Sequence, residues 1–255
     1  MFLKDYFPNL KKKYQKLKFS GVSFNSKHVK KNNLFFAIKG KKFDGNKYID
    51  EAIKKGARII VSSKKKEKII DNIFFLNAKN PRRLLSLISY KISKNKPKNL
   101  IAVTGTNGKT SVSNFYHQIL TLNNKKSAFF GTLGINGKSS YKKISNTTFD
   151  PIKLSKNLNS LKKKKIENVI LEASSHGLDQ HRLDGLKFNI GIFTNLSRDH
   201  LDYHKTMKKY LDAKLILFKN LMKKKSYIIF EEDTKQSKII KNICFKKKIK
   251  QLTIG

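Results

Sequence analysis

Cysteine is nearly absent from this sequence of 255 residues: Cys244 stands alone, so no disulfide can form within the chain. This fits a reducing compartment, and we expect the cytoplasm. Long hydrophobic runs are absent too, because the 38% of residues that are hydrophobic fall in short segments such as "NLFFAIKG" and "NIGIFTNL". None approaches the roughly 20 apolar residues of a membrane-spanning helix. The first residues, "MFLKDYFPNLKKKYQK", contain no uninterrupted apolar core. We therefore predict no secretory signal and no membrane partner.

Acidic residues and arginine are also scarce. The chain has 17 Asp and Glu against 57 Lys and Arg, a formal charge of +40, and only five of the basic residues are arginine. Positive charge is the footprint of nucleic-acid binding. However, proteins that read bases favour the two-pronged guanidinium of arginine, and here lysine is spread along nearly the whole chain. This pattern favours a solvated basic surface with incidental attraction for polyanions, and a nucleic-acid-binding protein remains an alternative.

The chain is long enough for two domains. The first ninety residues mix strands and a helix, and the polar, proline-containing "KISKNKPKN" predicts a linker after them. We therefore predict an N-terminal domain over 1–95 and a second domain over 96–255. From residue 100 strands and helices alternate, which predicts a mostly parallel sheet with helices on both faces. Ligands of such folds bind beyond the carboxyl ends of the strands. In the first domain we predict strands over 33–40, 58–63 and 72–78 and a helix over 46–57.

The segment "VTGTNGKT", residues 103–110, has the features of a phosphate-binding loop. It lacks the first glycine of the general pattern G-x-x-x-x-G-K-[ST], which here is Val103. It keeps two glycines that let the backbone approach phosphates, a lysine for the outer phosphates and a hydroxyl for a metal ion at the start of a helix. A glycine-rich turn that only joins a strand to a helix would not explain the lysine and the hydroxyl together. We predict that ATP is bound by Gly105, Thr106, Asn107, Gly108, Lys109 and Thr110.

A carboxylate and a group of histidines follow later strands. Glu172 ends the apolar segment "NVILE", and four of the six histidines lie between residues 176 and 204. Magnesium prefers oxygen ligands and keeps several waters, so Glu172, Thr110 and the phosphates form a predicted Mg²⁺ site. His200, taken alone, is equally consistent with a loop or core histidine.

Three segments carry a resemblance to a known family. "TGTNGKT", without the leading glycine, resembles the ATP loop of the Mur ligases, cytoplasmic enzymes that build the peptide of the bacterial cell-wall precursor. Related folylpolyglutamate synthetases have a further glycine between the lysine and the hydroxyl residue. Here Thr110 follows Lys109 directly, which favours the cell-wall branch. "EASSHGLDQHR" and "FTNLSRDHLDYH" resemble the branch of the family that makes the UDP-N-acetylmuramoyl tripeptide.

This resemblance implies a chemistry and a set of catalytic residues. ATP would phosphorylate the glutamate carboxylate of UDP-MurNAc-L-alanyl-D-glutamate, and the amine of meso-diaminopimelate or L-lysine would displace phosphate from the acyl phosphate. Diaminopimelate is the commoner choice, and no residue here selects it. The resemblance assigns catalysis to Lys109, Glu172, His200 and Lys214, and Mg²⁺ binding to Thr110, Glu172, His200 and Lys214, the last as a carbamoyl-lysine.

Substrate contacts follow from the same resemblance. "SNTTFD" is similar to the family pattern N-T-T-P-D, with Phe149 in place of proline. The first domain resembles a uridine-binding module in which Asn25, Ser26 and Lys27 replace the usual D-S-R. The segment from Lys41 to Asp44 is equally consistent with a part of that module and with a basic turn. The implied fold is a small mixed α/β uridine-binding domain followed by a phosphate-loop, mostly parallel ATPase domain. The implied substrate-binding residues are Ser26, Asn146, Thr147, Thr148, Ser174, Gln180 and Arg182.

The resemblance runs from about residue 20 to about residue 220 and implies a longer enzyme. By this comparison the sequence ends inside the central domain, before the C-terminal domain that selects the incoming amino acid. Besides an active ligase, two alternatives therefore stay open: a non-catalytic remnant that binds nucleotide or UDP-muramoyl peptides, and one half of a split ligase. We expect a monomer, alone or with a separate C-terminal piece.

Overall fold

The protein is described here by a computed structural model over residues 1–40, 43–135 and 147–255. The chain divides into two compact units, Met1–Ile92 and Ser93–Gly255. The last helix of the first unit ends at Ile92 and the next strand begins at Asn99, so residues 93–98 form the connection within the predicted linker.

The N-terminal unit is built on a five-stranded sheet. Strand order is β1-β2-β3-β5-β4, with parallel neighbours except for the antiparallel pair β4 and β5. β2 and β3 are buried at every residue, as expected of parallel strands covered on both faces. The helix predicted over 46–57 is a 3-10 turn, Gly45–Tyr48, followed by a shorter α-helix. The elements are β1 Gly21–Ser23, β2 Asn33–Phe36, α1 Ile49–Lys54, β3 Ile59–Ser62, β4 Lys68–Ile70, β5 Ile73–Asn77 and α2 Pro81–Ile92.

The second unit contains the larger sheet, of seven strands in the order β12-β11-β10-β6-β9-β7-β8. Every neighbouring pair is parallel except β7 with β8. The predicted fold class, a mixed α/β unit followed by a mostly parallel sheet, is therefore confirmed. The elements are β6 Asn99–Thr104, α3 Lys109–Leu122, β7 Ser127–Gly131, β8 Gly134–Ile135, α4 Pro151–Lys163, β9 Asn168–Glu172, α5 Ser175–Asp179, β10 Phe188–Phe193, α6 Leu201–His204, α7 Met207–Asn220, β11 Met222–Glu231, α8 Ser237–Lys247 and β12 Lys250–Ile254.

The core of this unit lies on both faces of strand β6. Ile101 and Val103 pack in a buried cluster with neighbouring strands, and Val112 of α3 packs against it. Leu100 and Ala102 alternate with them, so their side chains point to the opposite face, where they are also buried. Because both faces of the sheet are covered at this strand, solvent reaches the strand at its ends and not at the sheet faces.

Several elements were not predicted from the sequence. In the N-terminal unit these are β1, β4 and α2, and in the second unit they are β8, α5, α6, α8 and β12. The histidine-containing segments that follow β9 and β10 contain the short helices α5 and α6. Lysines interrupt the hydrophobic periodicity of α8 and of β12, which makes both elements hard to recognise. β12 is also exposed at every residue. Among the helices of the described residues, none combines the length and the hydropathy that crossing a bilayer requires.

Candidate nucleotide and metal site

The phosphate-loop segment joins the carboxyl end of β6 to the N-terminus of α3. Val103, where the general pattern has glycine, is fully buried in β6 and fills a core position before the loop begins. Gly105 and Gly108 have φ of +155° and +80°, which L side chains rarely adopt. A Cβ on Gly105 would also lie 1.9 Å from Oγ1 of Thr194. The loop therefore needs these two glycines and not the first one.

Residues after β10, the neighbouring strand, hold the loop from one side. The Asn107 amide donates to Asn195 Oδ1 at 2.9 Å, and Thr194 Oγ1 donates to the Asn107 carbonyl at 2.6 Å. The Ser197 amide donates to Thr106 Oγ1 at 3.0 Å. These contacts keep the loop open around the N-terminus of α3, where free N–H groups favour anions.

Two lysine ammonium groups meet at the loop. Lys109 Nζ donates to the carbonyls of Gly105 and Thr106 at 3.0 and 2.7 Å, and Lys214 Nζ donates to the Gly105 carbonyl at 2.6 Å. Burial lowers the pKa of Lys109, opposed by Glu172 and Asp199. Burial lowers the pKa of Lys214 to about 7, with help from Lys109 and against Asp199. Lys214 is therefore partly a neutral amine near neutral pH.

Tyr210 connects Lys214 to the loop. Its ring centroid lies 4.2 Å from Lys214 Nζ, a cation–π contact, and its hydroxyl lies 3.2 Å from Thr106 Oγ1. Both residues are on α7, one turn apart, and both are buried. Sequence reasoning missed Tyr210, although the i, i+4 spacing to Lys214 places both on one helix face.

Glu172 ends β9 and is 1% exposed. Its Oε1 accepts from the Thr132 amide at 3.1 Å and its Oε2 from Thr132 Oγ1 at 3.2 Å. A Cβ on Gly131 would lie 1.8 Å from Glu172 Oε1, so the end of β7 leaves space for the carboxylate and orients it. Thr132 was not predicted, and its position after a strand end beside β9 is the signal that could have found it.

His200 precedes α6 with a left-handed φ of +51°. Its Nε2 lies 3.4 Å from Asp199 Oδ2, and its ring stands edge-on to His176 at 4.8 Å between centroids. Burial lowers the pKa of His176, and the nearby His200 and His204 lower it further. The cluster therefore presents His176 as a neutral imidazole near pH 7.

A pocket of about 250 Å³ joins these groups. Every residue predicted to bind ATP and every residue predicted for catalysis or metal binding lies on its wall, together with Thr147 and Ser174 of the predicted substrate set. Their individual roles stay predictions. The wall comprises residues 105–111, Thr132, Thr147, Glu172, Ser174, Ser175, His200, Tyr210 and Lys214.

The donor set of this wall fits Mg²⁺. Glu172 and Thr110 offer the oxygen atoms that magnesium prefers, and the two Glu172 oxygens are oriented by Thr132. Within 1–40, 43–135 and 147–255, no three His, Cys, Asp or Glu side chains form a ready-made metal cluster. The predicted set draws only Glu172 and His200 from those types, so phosphate oxygens would have to complete it.

Three other predicted substrate residues form a hydrogen-bonded network beside the pocket. Thr148 Oγ1 donates to the Glu172 carbonyl at 2.8 Å and accepts from the Ser174 amide at 2.9 Å. Arg182 donates to the Thr148 carbonyl at 2.6 Å and to Gln180 Oε1 at 2.8 Å. These contacts give Thr148, Gln180 and Arg182 a structural role, and substrate binding by them stays a prediction.

The remaining predicted residues lie elsewhere. Ser26, in the N-terminal unit, is 6% exposed and donates to Glu51 Oε2 at 2.9 Å. Asn146 and Lys41 lie outside the described residues. Phe149, which replaces the proline of the family pattern, is buried edge-on against Phe130 with 5.7 Å between ring centroids. Packing, rather than a proline ring, anchors this segment.

Comparison with known families matches residues 103–255 to the family described as Mur ligase middle domain. Residues 18–99 match the one described as Mur ligase family, catalytic domain. The chain belongs to the Mur ligase family. The family assignment made from "TGTNGKT" and the two later segments is confirmed.

Several curated proteins resemble this Mur ligase chain. UDP-N-acetylmuramoyl-L-alanyl-D-glutamate–2,6-diaminopimelate ligase of Rickettsia montanensis is 41% identical over 97% of this chain and 52% of that protein. The enzyme of the same name from Bradyrhizobium diazoefficiens is 42% identical over 81% of this chain and 42% of that protein. The chain thus spans about half the length of the curated relatives it matches.

Solved structures agree on the fold. A structure of UDP-N-acetylmuramoyl-L-alanyl-D-glutamate–2,6-diaminopimelate ligase matches with a TM-score of 0.83 and 28% identity, over 99% of this chain and 52% of that chain. MurF ligase from Thermotoga maritima in complex with ADP matches with a TM-score of 0.60 and 20% identity, over 91% of this chain and 49% of that chain. The second likeness shows the fold alone.

Proposed function

We propose that this chain carries the nucleotide-binding part of an ATP-dependent amide ligase of peptidoglycan precursor synthesis, acting in the cytoplasm. The enzyme adds the third amino acid, meso-diaminopimelate or L-lysine, to UDP-MurNAc-L-alanyl-D-glutamate. The observation that carries the proposal is the convergence of Lys109, Glu172, His200 and Lys214 on one pocket. Relatives named as diaminopimelate ligases support diaminopimelate as the amino acid. The N-terminal unit, by its resemblance to a uridine-binding module, would take the UDP part.

The phosphates of ATP would enter at the N-terminus of α3. The loop N–H groups donate to them, and Lys109, whose ammonium lies over the loop carbonyls, neutralises charge that builds up on the γ-phosphoryl group. Thr110, Glu172 and His200, with Lys214 as a carbamate, would hold Mg²⁺. Magnesium, when bound, neutralises phosphate oxygens and fixes their orientation.

The substrate carboxylate would enter beside Glu172. The hydroxyls of Thr147 and Ser174 lie on that part of the wall and orient the carboxylate in line with the γ-phosphoryl group. Attack by the carboxylate gives an acyl phosphate and ADP, and attack by the incoming amine then gives the amide and phosphate. Positioning and charge neutralisation, the main terms in phosphoryl transfer, are what these residues supply.

Nucleotide binding tests the first half of this proposal. Lys109→Ala should weaken binding of a fluorescent ATP analogue with Mg²⁺ by about 10- to 100-fold, because hydrogen bonds to charged groups contribute about 1.5–3 kcal/mol. Lys208→Ala, an exposed lysine of α7, is the matched control and should leave the affinity unchanged. Equal affinities of the parent and Lys109→Ala would contradict the assignment of the loop.

Turnover tests the second half. Phosphate release from ATP should require both UDP-MurNAc-L-alanyl-D-glutamate and an amino acid, and comparing diaminopimelate with lysine identifies the amine. Saturable ATP binding without release would instead favour a nucleotide-binding remnant or one half of a split ligase. Tight, steeply salt-dependent duplex binding, with no ATP binding, would favour the nucleic-acid alternative.

A further inference from the structure

The lysines of the second unit concentrate at one edge of the large sheet. Six segments, each preceding or beginning a parallel strand, contain sixteen lysines and a single carboxylate, Glu167. Parallel strands begin at the same edge of a sheet, so these segments lie at the end opposite the pocket, which sits at the carboxyl ends. We call this surface the amino-end edge; its segments are 94–98, 122–126, 162–167, 185–187, 221–225 and 245–249.

Hydrogen bonds link several neighbouring segments of this edge. Asn168 Nδ2 donates to the Lys126 carbonyl at 3.1 Å, and the Lys98 amide donates to Glu167 Oε2 at 2.7 Å. Lys223 Nζ donates to the Lys98 carbonyl at 3.1 Å. Three of the six segments are thereby in direct contact, and a fourth, 122–126, is bonded to Asn168, the residue that follows 162–167. Most of the lysine side chains in the six segments are exposed.

Two large hydrophobic side chains stand on the same edge. Phe245 is 85% exposed and Leu122 is 83% exposed, the highest values for large hydrophobic residues in the described part of the chain. Each lies near the end of a helix, α8 and α3, that returns from the carboxyl end of one strand to the amino end of the next. Isolated exposed leucines are ordinary, whereas apolar side chains flanked by lysines on one surface are typical of proteins that bind at the lipid headgroup region.

Two simpler explanations account for only part of this surface. Lysines at helix C-termini stabilise the helix dipole, which explains Lys162, Lys163 and Lys246 but not Lys126 or Lys187, which precede strands. A nucleic-acid surface would be expected to use arginine, and none of the five arginines lies in the six segments. A phosphate backbone also offers no apolar partner for the two exposed hydrophobic side chains.

We propose that the amino-end edge docks on the surface of an anionic lipid bilayer, with lysine ammonium groups at the lipid phosphates and Leu122 and Phe245 at the acyl-chain boundary. The charge complementarity and the two apolar side chains together select this partner. The pocket lies at the other end of the strands, so it stays open to substrates in solution. The sequence analysis predicted no membrane partner, so this docking departs from that expectation by adding a peripheral one. The docking does not depend on the proposed ligase activity.

Vesicle flotation of the full chain tests the docking. Vesicles of equimolar phosphatidylglycerol and phosphatidylcholine should carry the protein, vesicles of phosphatidylcholine alone should not, and added salt should release it. K163Q/K164Q/K165Q should weaken binding by about tenfold or more, because each lysine near an anionic surface adds attraction. The matched control is K11Q/K12Q/K16Q, which removes three exposed lysines from the N-terminal unit and should change binding far less.

The apolar side chains have a separate test. L122S and F245S should weaken binding most at high salt, where the electrostatic attraction is screened and insertion of the side chains dominates. Circular dichroism of each variant verifies that it folds, which keeps this test independent of nucleotide binding. Absence of binding to anionic vesicles, or an equal loss in both triple-lysine variants, would overturn the proposal. Tighter binding of a DNA duplex through Lys163, Lys164 and Lys165 would also overturn it and make nucleic acid the partner.

Discussion

Lys214 is the side chain whose surroundings differ most from those of an ordinary lysine. It is 1% exposed, its ammonium shares the Gly105 carbonyl with Lys109, and the face of Tyr210 lies 4.2 Å away. Desolvation and the neighbouring cation both disfavour the charged form, which is why its pKa falls to about 7. A neutral amine is the form that reacts with carbon dioxide, so these contacts also favour the carbamate that the family resemblance implies.

Unfolding at several pH values tests the protonation of Lys214. Its pKa is about 7 in the folded chain, against the ordinary lysine value of 10.5 that we assign to the unfolded chain. Between these pH values the unfolded state holds a proton that the folded state has lost, so the free energy of unfolding rises with pH across this window. Below about pH 7 both states hold the proton, and the cost of burying the charged Lys214 is present in full. Lys214→Met removes the titration. The parent should therefore gain stability relative to Lys214→Met as pH rises, by up to about 1.4 kcal/mol per pH unit.

Urea unfolding in buffers free of bicarbonate measures this difference. Lys208→Met, an exposed residue of the same helix, is the control and should follow the parent at every pH. Parallel pH profiles of the parent and Lys214→Met would contradict the assigned pKa.

The elements meet at the pocket because of strand order. Within the sheet, neighbouring strands follow the order β10-β6-β9-β7. The phosphate loop follows β6, so it lies between the Thr194–Ser197 segment, which follows β10, and Glu172, which ends β9. The next strand ends at Gly131 and supplies Thr132 to the Glu172 carboxylate. Thr148 lies just before α4, and its hydroxyl bonds to Glu172 and Ser174, which lie at the connection between β9 and α5. Four strand ends and one loop are thus held by short polar side chains, of which Thr106, Thr148 and Glu172 are buried.

Thr148→Val tests this junction, since valine keeps the shape and removes the hydroxyl. The Ser174 amide and the Glu172 carbonyl would lose their partner, which should lower the free energy of unfolding by about 1–3 kcal/mol. Thr121→Val, whose hydroxyl is exposed on α3, should change it by no more than about 0.5 kcal/mol. Denaturant midpoints for both variants decide the matter: equal losses would mean that the junction contributes nothing of its own.

At the scale of the whole molecule, the pocket that we propose binds nucleotide belongs to one unit. All of its lining residues lie within Ser93–Gly255, and the boundary falls in the predicted linker. The N-terminal unit has its own buried core, centred on Phe35, Ala52 and Ile60. Each unit therefore has the burial expected of a separately folding domain.

Fragment 93–255 should therefore bind the fluorescent ATP analogue within about threefold of the full chain, a difference of less than 1 kcal/mol. Fragment 1–92 should not bind it, and circular dichroism verifies that each fragment is folded. A folded fragment 93–255 that fails to bind the analogue would contradict the division of roles.

The sequence by itself determined the local parts of this protein: the glycines and Lys109 of the phosphate loop, Glu172 at a strand end, the alternation of strands and helices, and the family. These signals are local, because backbone conformation and periodicity depend on neighbouring residues. The tertiary structure alone decided that Thr132, Tyr210 and the Thr194–Ser197 segment surround the loop, and that lysines from six segments form one edge. Such contacts join residues far apart in the chain, and they depend on the order of strands in the sheet, which no short pattern encodes.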